Sequence, residues 1–122
     1  MLTNKDSSAI IAVSDIARAR AFYADTLGLE LVHGDDNLLQ FRTGTTKLVV
    51  YVSSFAGTNQ ANAAVWGVGD EIEAIVETLK RKGVTFEHYE GMELRGDIHI
   101  GGDFKMVWFK DPDGNILHLN NM

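Results

Sequence analysis

The 122-residue chain contains no cysteine and a single proline, Pro112. Without cysteine there are no disulfides, thiolate nucleophiles or thiolate metal sites, and a core must hold the fold by itself. At 45% apolar content the chain is long enough to bury one as a single domain. No apolar run approaches the roughly 18 residues that a membrane span needs. Met1 to Ser8 is polar, so the expectation is a soluble, cytoplasmic protein with no membrane partner. Basic residues are outnumbered, eleven Lys and Arg against seventeen Asp and Glu, for a net charge of −6. They are scattered rather than clustered with aromatics, which argues against a nucleic-acid partner. There is no phosphate loop and no Ser/His/Asp order, so hydrolase and NTPase chemistry have no support.

What is present is a repeat. Ile11 to Leu31 and Trp66 to Phe86 follow one plan at an offset of 55 residues, pairing Val13 with Val68, Asp15 with Asp70, Gly28 with Gly83 and Leu31 with Phe86. In each copy a short apolar run reaches an Asp that can cap a helix. An amphipathic segment follows, and a Gly ends it before a second apolar run. Such a duplication predicts two equivalent β-α-β units around a pseudo-twofold axis, with any site between them drawing residues from both.

Periodicity places a strand over Ser8 to Val13 and a helix over Asp15 to Leu27, with Ile16, Ala19, Phe22, Tyr23 and Leu27 inward. Strands are expected near Leu29 to His33, Asn37 to Arg42 and Lys47 to Val52. In the second half, a strand is expected over Ala63 to Val68 and a helix over Asp70 to Lys82, with Asp70 and Glu73 forming a capping-box-like start. Further strands are expected near Val84 to Tyr89, Phe104 to Lys110 and Asn115 to Asn120. Asp111-Pro112-Asp113-Gly114 has turn chemistry, since Pro presets φ and Gly supplies a positive one. The glycine-rich stretch Glu90 to Asp103 has no partner in the first half and reads as a lid or an irregular strand connection. The expected class is α+β, one domain of two βαβββ modules, about 8–52 and 63–120, joined by the connection 53–62.

Two groups of residues carry a resemblance. Val13-Ser14-Asp15-Ile16 stands with Ala21-Phe22-Tyr23 and Leu27-Gly28-Leu29, and the chain closes with Trp108-Phe109-Lys110-Asp111-Pro112-Asp113-Gly114-Asn115-Ile116-Leu117-His118-Leu119. Together they resemble the vicinal oxygen chelate superfamily, which includes glyoxalase I, extradiol dioxygenases, fosfomycin-resistance transferases and bleomycin-binding resistance proteins. The resemblance implies cupped mixed sheets with helices outside. It also implies modules that pair within a chain or are exchanged in a homodimer.

Enzymes of this family hold a divalent metal with His or Glu on the first and last strands of the modules. Carried onto this chain, those positions are Ser8, Ala63 and His118, and by module equivalence Tyr51. A metal with open positions needs about three protein ligands, and one imidazole does not supply them, so no metal and no cofactor are expected. Strand alternation puts Ile116 and Asn120 on the cup face with His118, and Val49 with Tyr51. Ser8, Ile10, Ala63, Val65 and Gly67 complete the floor, with Trp108 a further ligand-contact candidate. Ser and Ala on the first strands with a Gly-Asn-x-x-His ending resemble the metal-free bleomycin-binding type.

Each position also has a structural reading. His118 can serve a neighbouring strand's carbonyl, Tyr51 and Trp108 can pack in a core, and Trp66 points to the helix layer by alternation. Two functions follow. One is binding of a small organic ligand, such as an antibiotic or metabolite to be sequestered. The other is a lyase, isomerase or dioxygenase-type enzyme, using His118 with His99 or Glu93 as acid and base, or a rearranged metal site.

Overall fold

The computed structural model describes every residue from Met1 to Met122 and contains two mixed sheets with few helices. The first half runs β1 (Ala9–Val13), α1 (Ile16–Arg20), β2 (Glu30–Gly34), β3 (Leu38–Thr43) and β4 (Thr46–Val52). Its sheet order is β1-β4-β3-β2, with β1 parallel to β4 and the other pairs antiparallel. The second half runs β5 (Asn62–Gly67), α2 (Ile72–Arg81), β6 (Glu93–Arg95), β7 (Ile98–Gly101), β8 (Phe104–Lys110) and β9 (Ile116–Asn120). Its sheet order is β5-β9-β8-β7-β6, again with the first and last strands, β5 and β9, parallel. Strands β1 and β5 adjoin, and one hydrophobic cluster runs through both halves, from Ile11, Phe41 and Val50 to Phe109, Leu117 and Leu119.

The repeat accounts for the matching reversals. Gly28 and Gly83 each follow a helix with φ of 73° and 90°, a conformation that costs a side-chain-bearing residue about 1 kcal/mol or more. Asp15 caps α1 by accepting the Arg18 amide N–H at 3.0 Å.

The expected helix from Asp15 to Leu27 is α-helical only to Arg20. It then widens into a π turn, Ala21–Thr26, closed by the Leu27 N–H on the Phe22 carbonyl. The widened turn carries buried Tyr23, which packs against Phe41 with ring centroids 6.0 Å apart. The second helix departs at its start. A short 3-10 turn, Gly69–Glu71, precedes α2, no side chain caps it, and Glu73 pairs with Lys105 instead of closing a capping box with Asp70.

The largest difference lies in 84–103. Val84 to Tyr89 is not a continuous strand, because it meets β8 only through the Phe86–Phe109 bridge and the Glu87 N–H on the Trp108 carbonyl. The other half of that edge is taken by β7, which pairs with Phe104 to Met106. The segment 90–103, expected as a lid or an irregular strand connection, therefore contains the hairpin β6–β7, which extends the sheet.

Candidate functional site

Backbone register sorts the candidates onto faces. Along β9, Leu117 and Leu119 are buried toward the helices while Ile116, His118 and Asn120 alternate to the other face. Val65 lies beside His118 and Gly67 beside Asn120 on β5. Trp108 lies beside His118 and Met106 beside Asn120 on β8. In the first sheet Ile10 lies beside Val49 and Ala12 beside Tyr51. Ile10 and Val65 are 62% and 58% exposed, so an apolar face turned away from the helices crosses the seam between β1 and β5.

This register corrects one assignment. Ile10 and Val65 are repeat equivalents, and their partners on the last strands are Val49 and His118. Val49, not Tyr51, is the counterpart of His118, and Tyr51 corresponds to Asn120. The last strands cannot be aligned from the repeat, which ends before them.

Trp108 takes the face that sequence alone left open. Its indole stacks on the His118 imidazole, centroids 4.7 Å apart and planes 19° from parallel. Tyr89 stands edge-on to Trp108 at 5.2 Å and His99 edge-on at 5.0 Å. His118 Nδ1 lies 3.0 Å from the Val107 carbonyl. A carbonyl only accepts, so Nδ1 donates to it, and in the neutral ring Nε2 is then the acceptor, 3.4 Å from the Asn120 amide nitrogen. The arrangement offers a flat aromatic surface, one imidazole lone pair and one carboxamide. It can stack a planar molecule, hydrogen-bond it, or act as a base through Nε2.

The other candidates are distributed differently. His99 belongs to β7 and is fully buried, so it is a strand residue and not part of a mobile lid. Its Nε2 accepts the Tyr89 N–H at 2.9 Å, and its Nδ1 has no hydrogen-bond partner. Glu93 pairs across the hairpin with Ile100, whereas His99 pairs with Leu94, so Glu93 and His99 occupy opposite faces. Glu93 is exposed and ion-paired to Arg95 at 3.2 Å. Ser8 precedes β1 and is exposed, lining a polar groove with Arg42 and Lys47. Ala63 falls where the β5–β9 register shifts, and it touches the hydrophobic core. Val65 is therefore the open position of that strand.

Tyr89 ends the segment expected as a strand and is absent from the expected site, because irregular backbone is what places it beside Trp108. Behind this group, His88 Nε2 lies 2.7 Å from Asp97, which also meets Lys80 at 3.1 Å. The hydrogen bond from His88 is the main cause holding the Asp97 carboxyl below its usual range, with Lys80 adding to it and burial opposing.

A family-type metal finds no adequate donor set here. No three His, Asp or Glu side chains converge, and Ser8, Val49 and Ala63 stand where further ligands would be needed beside His118. No helix is long and apolar enough to cross a membrane.

Residues 7–119 match the Glyoxalase/Bleomycin resistance protein/Dioxygenase superfamily, so the chain belongs to that family. Among solved structures it is similar to lactoylglutathione lyase from Agrobacterium tumefaciens, with TM-score 0.77 and 18% identity over 98% of this chain and 95% of that one. It is also similar to the glyoxalase family protein from Enterococcus faecalis, with TM-score 0.74 and 21% identity over 98% and 99%. A third likeness is to the bleomycin-binding protein from bleomycin-producing Streptomyces verticillus, solved with copper(II)-bleomycin, with TM-score 0.70 and 22% identity over 98% and 97%. At these identities the likeness is one of fold.

Proposed function

We propose that this protein binds a small, planar organic molecule, without a resident metal, on the face where Trp108 stacks on His118. One observation carries the reading: His118 is the single ligand-type side chain at the family's metal positions, and it is already engaged in an aromatic stack. Stacking on a half-buried aromatic surface, with Nε2 and Asn120 supplying direction, suits reversible binding and sequestration of an antibiotic or metabolite. The Streptomyces verticillus protein, with its copper(II)-bleomycin, gives this family a precedent for such a role.

The reading includes a homodimer. Ile10 and Val65 leave the face open in a single copy, and a second copy would wall it. Light scattering at micromolar concentration should give twice the chain mass, and a monomer would remove this part.

Metal analysis of protein purified without chelator tests the main reading. The expected result is no stoichiometric transition metal and a Tm unchanged by chelator, with a thermal-shift screen of organic molecules returning binders. Near-stoichiometric Zn, Ni, Mn or Fe bound at His118 would overturn it in favour of an enzyme with rearranged ligands.

A further inference from the structure

A cavity of about 150 Å³ lies on the opposite face of the second sheet, under helix α2. Phe109 and Leu119 of the sheet line one side with Trp66 of β5, and Ile75 and Leu79 of α2 line the other. Leu27 and Leu29 of the first module line another side, so the pocket sits where the two modules meet and opens partly to solvent.

Its chemistry is one-sided. Eight of the nine lining residues are hydrophobic and the ninth is Thr43. Thr43 Oγ1 accepts the Trp66 indole N–H at 2.8 Å, which fixes the indole and satisfies its only polar atom. One hydroxyl hydrogen is then the sole side-chain donor left to a guest. Water needs two to four partners to occupy such a space stably, so it is poorly held here. No titratable side chain lines the cavity, so a charged guest would lose its hydration without compensation. An apolar pocket of about this volume matches a single benzene ring in size.

We propose that this cavity is a binding site for one small, uncharged aromatic ring, from benzene to phenol in size, with Thr43 able to donate to a ring substituent. The site is separate from the Trp108–His118 face, since Trp66 and Leu119 share the helix side of the sheet while Trp108 and His118 share the other.

Benzene titrated into the intact protein and followed by methyl NMR tests this. The expected result is saturable ring-current shifts at Ile75, Leu79 and Leu119, with none at Ile10, Val65 or Ile116, accompanied by a rise in Tm. Filling the cavity from either wall, with Ile75→Phe or Leu29→Phe, should weaken benzene binding about tenfold or more. Absence of saturable shifts in the parent would overturn the proposal. So would shifts confined to the Val65 and Ile116 face, or parental affinity in a folded filling variant.

Discussion

The Tyr23 hydroxyl of the first module donates to Oδ2 of Asp111 in the second, across 2.7 Å, with both side chains buried. Asn115 completes the contact. Its amide donates to the same Asp111 oxygen at 2.9 Å and to the Ala12 carbonyl at 2.8 Å. Asp111 Oδ1 in turn accepts the backbone N–H groups of Asp113 and Asn115. The Asp-Pro-Asp-Gly-Asn turn is therefore both a hairpin and a clasp between modules. Burial first, and then the Asp111 carboxylate, push the Tyr23 hydroxyl well above its usual range, so it remains a donor.

Removing parts of this clasp should have graded effects. Tyr23→Phe deletes one hydrogen bond to a charged acceptor and should cost about 1.5 to 3 kcal/mol in urea unfolding. Asp111→Ala strands four donors at once and should cost more than Tyr23→Phe. Equal, negligible losses for both would show that the modules are held by apolar packing alone.

The same turn predicts a limb of acid instability. Burial pushes the Asp113 carboxyl up, but donation from the Ser14 side chain and backbone and the Arg18 guanidinium at 3.1 Å together outweigh it and hold the group below its ordinary 3.8. A carboxyl depressed in the folded state contributes stability above its unfolded value and loses it as pH falls through the folded one. Stability should therefore decline as pH drops below about 4. Asp113→Asn should flatten that limb while lowering stability near neutrality. Parallel acid limbs in parent and variant, from urea midpoints across pH, would remove Asp113 from the account.

Much of this architecture is legible in the chain, because the repeat from Ile11 to Phe86 fixes strand, helix and reversal by local rules. Asp15 and Gly28 each do locally what their residue types favour. The parts that were not legible depend on partners distant in sequence. Val84 to Tyr89 has strand composition, yet β7 occupies half of the β8 edge it would need. Glu73 is spaced for a capping box, yet Lys105 claims it. At the site, His118 and its face follow from alternation. Trp108 needed the β8–β9 register, Val49 the parallel β1–β4 register, and Tyr89 an irregular path that no pattern encodes.

Placement of His99 in a packed strand reverses the expectation for a loop residue. Its ring is fully buried, accepts the Tyr89 N–H and stands against Trp108. His99→Ala should cost on the order of 2 to 4 kcal/mol through the cavity it leaves and the unpaired amide. A change within about 0.5 kcal/mol in denaturant unfolding, the range of ordinary surface substitutions, would mean that the hairpin β6–β7 is loosely attached after all.

The proposed binding face makes the final prediction, for whichever molecule the thermal-shift screen returns. His118→Ala removes half of the aromatic stack and the lone pair at Nε2, and should weaken binding about tenfold or more. Its half-buried position, with one hydrogen bond to Val107 and a longer contact with Asn120, limits the stability loss to about 1 kcal/mol. Val65→Glu places a charge beside His118 at a position exposed enough to tolerate it. It should weaken binding of an uncharged planar molecule comparably without unfolding the chain. Ile75→Phe, on the helix side, should leave that affinity unchanged while weakening benzene binding about tenfold or more. If calorimetry instead finds parental affinity in folded His118→Ala and Val65→Glu and a loss in Ile75→Phe, the ligand occupies the cavity under α2 and the Trp108–His118 face is structural.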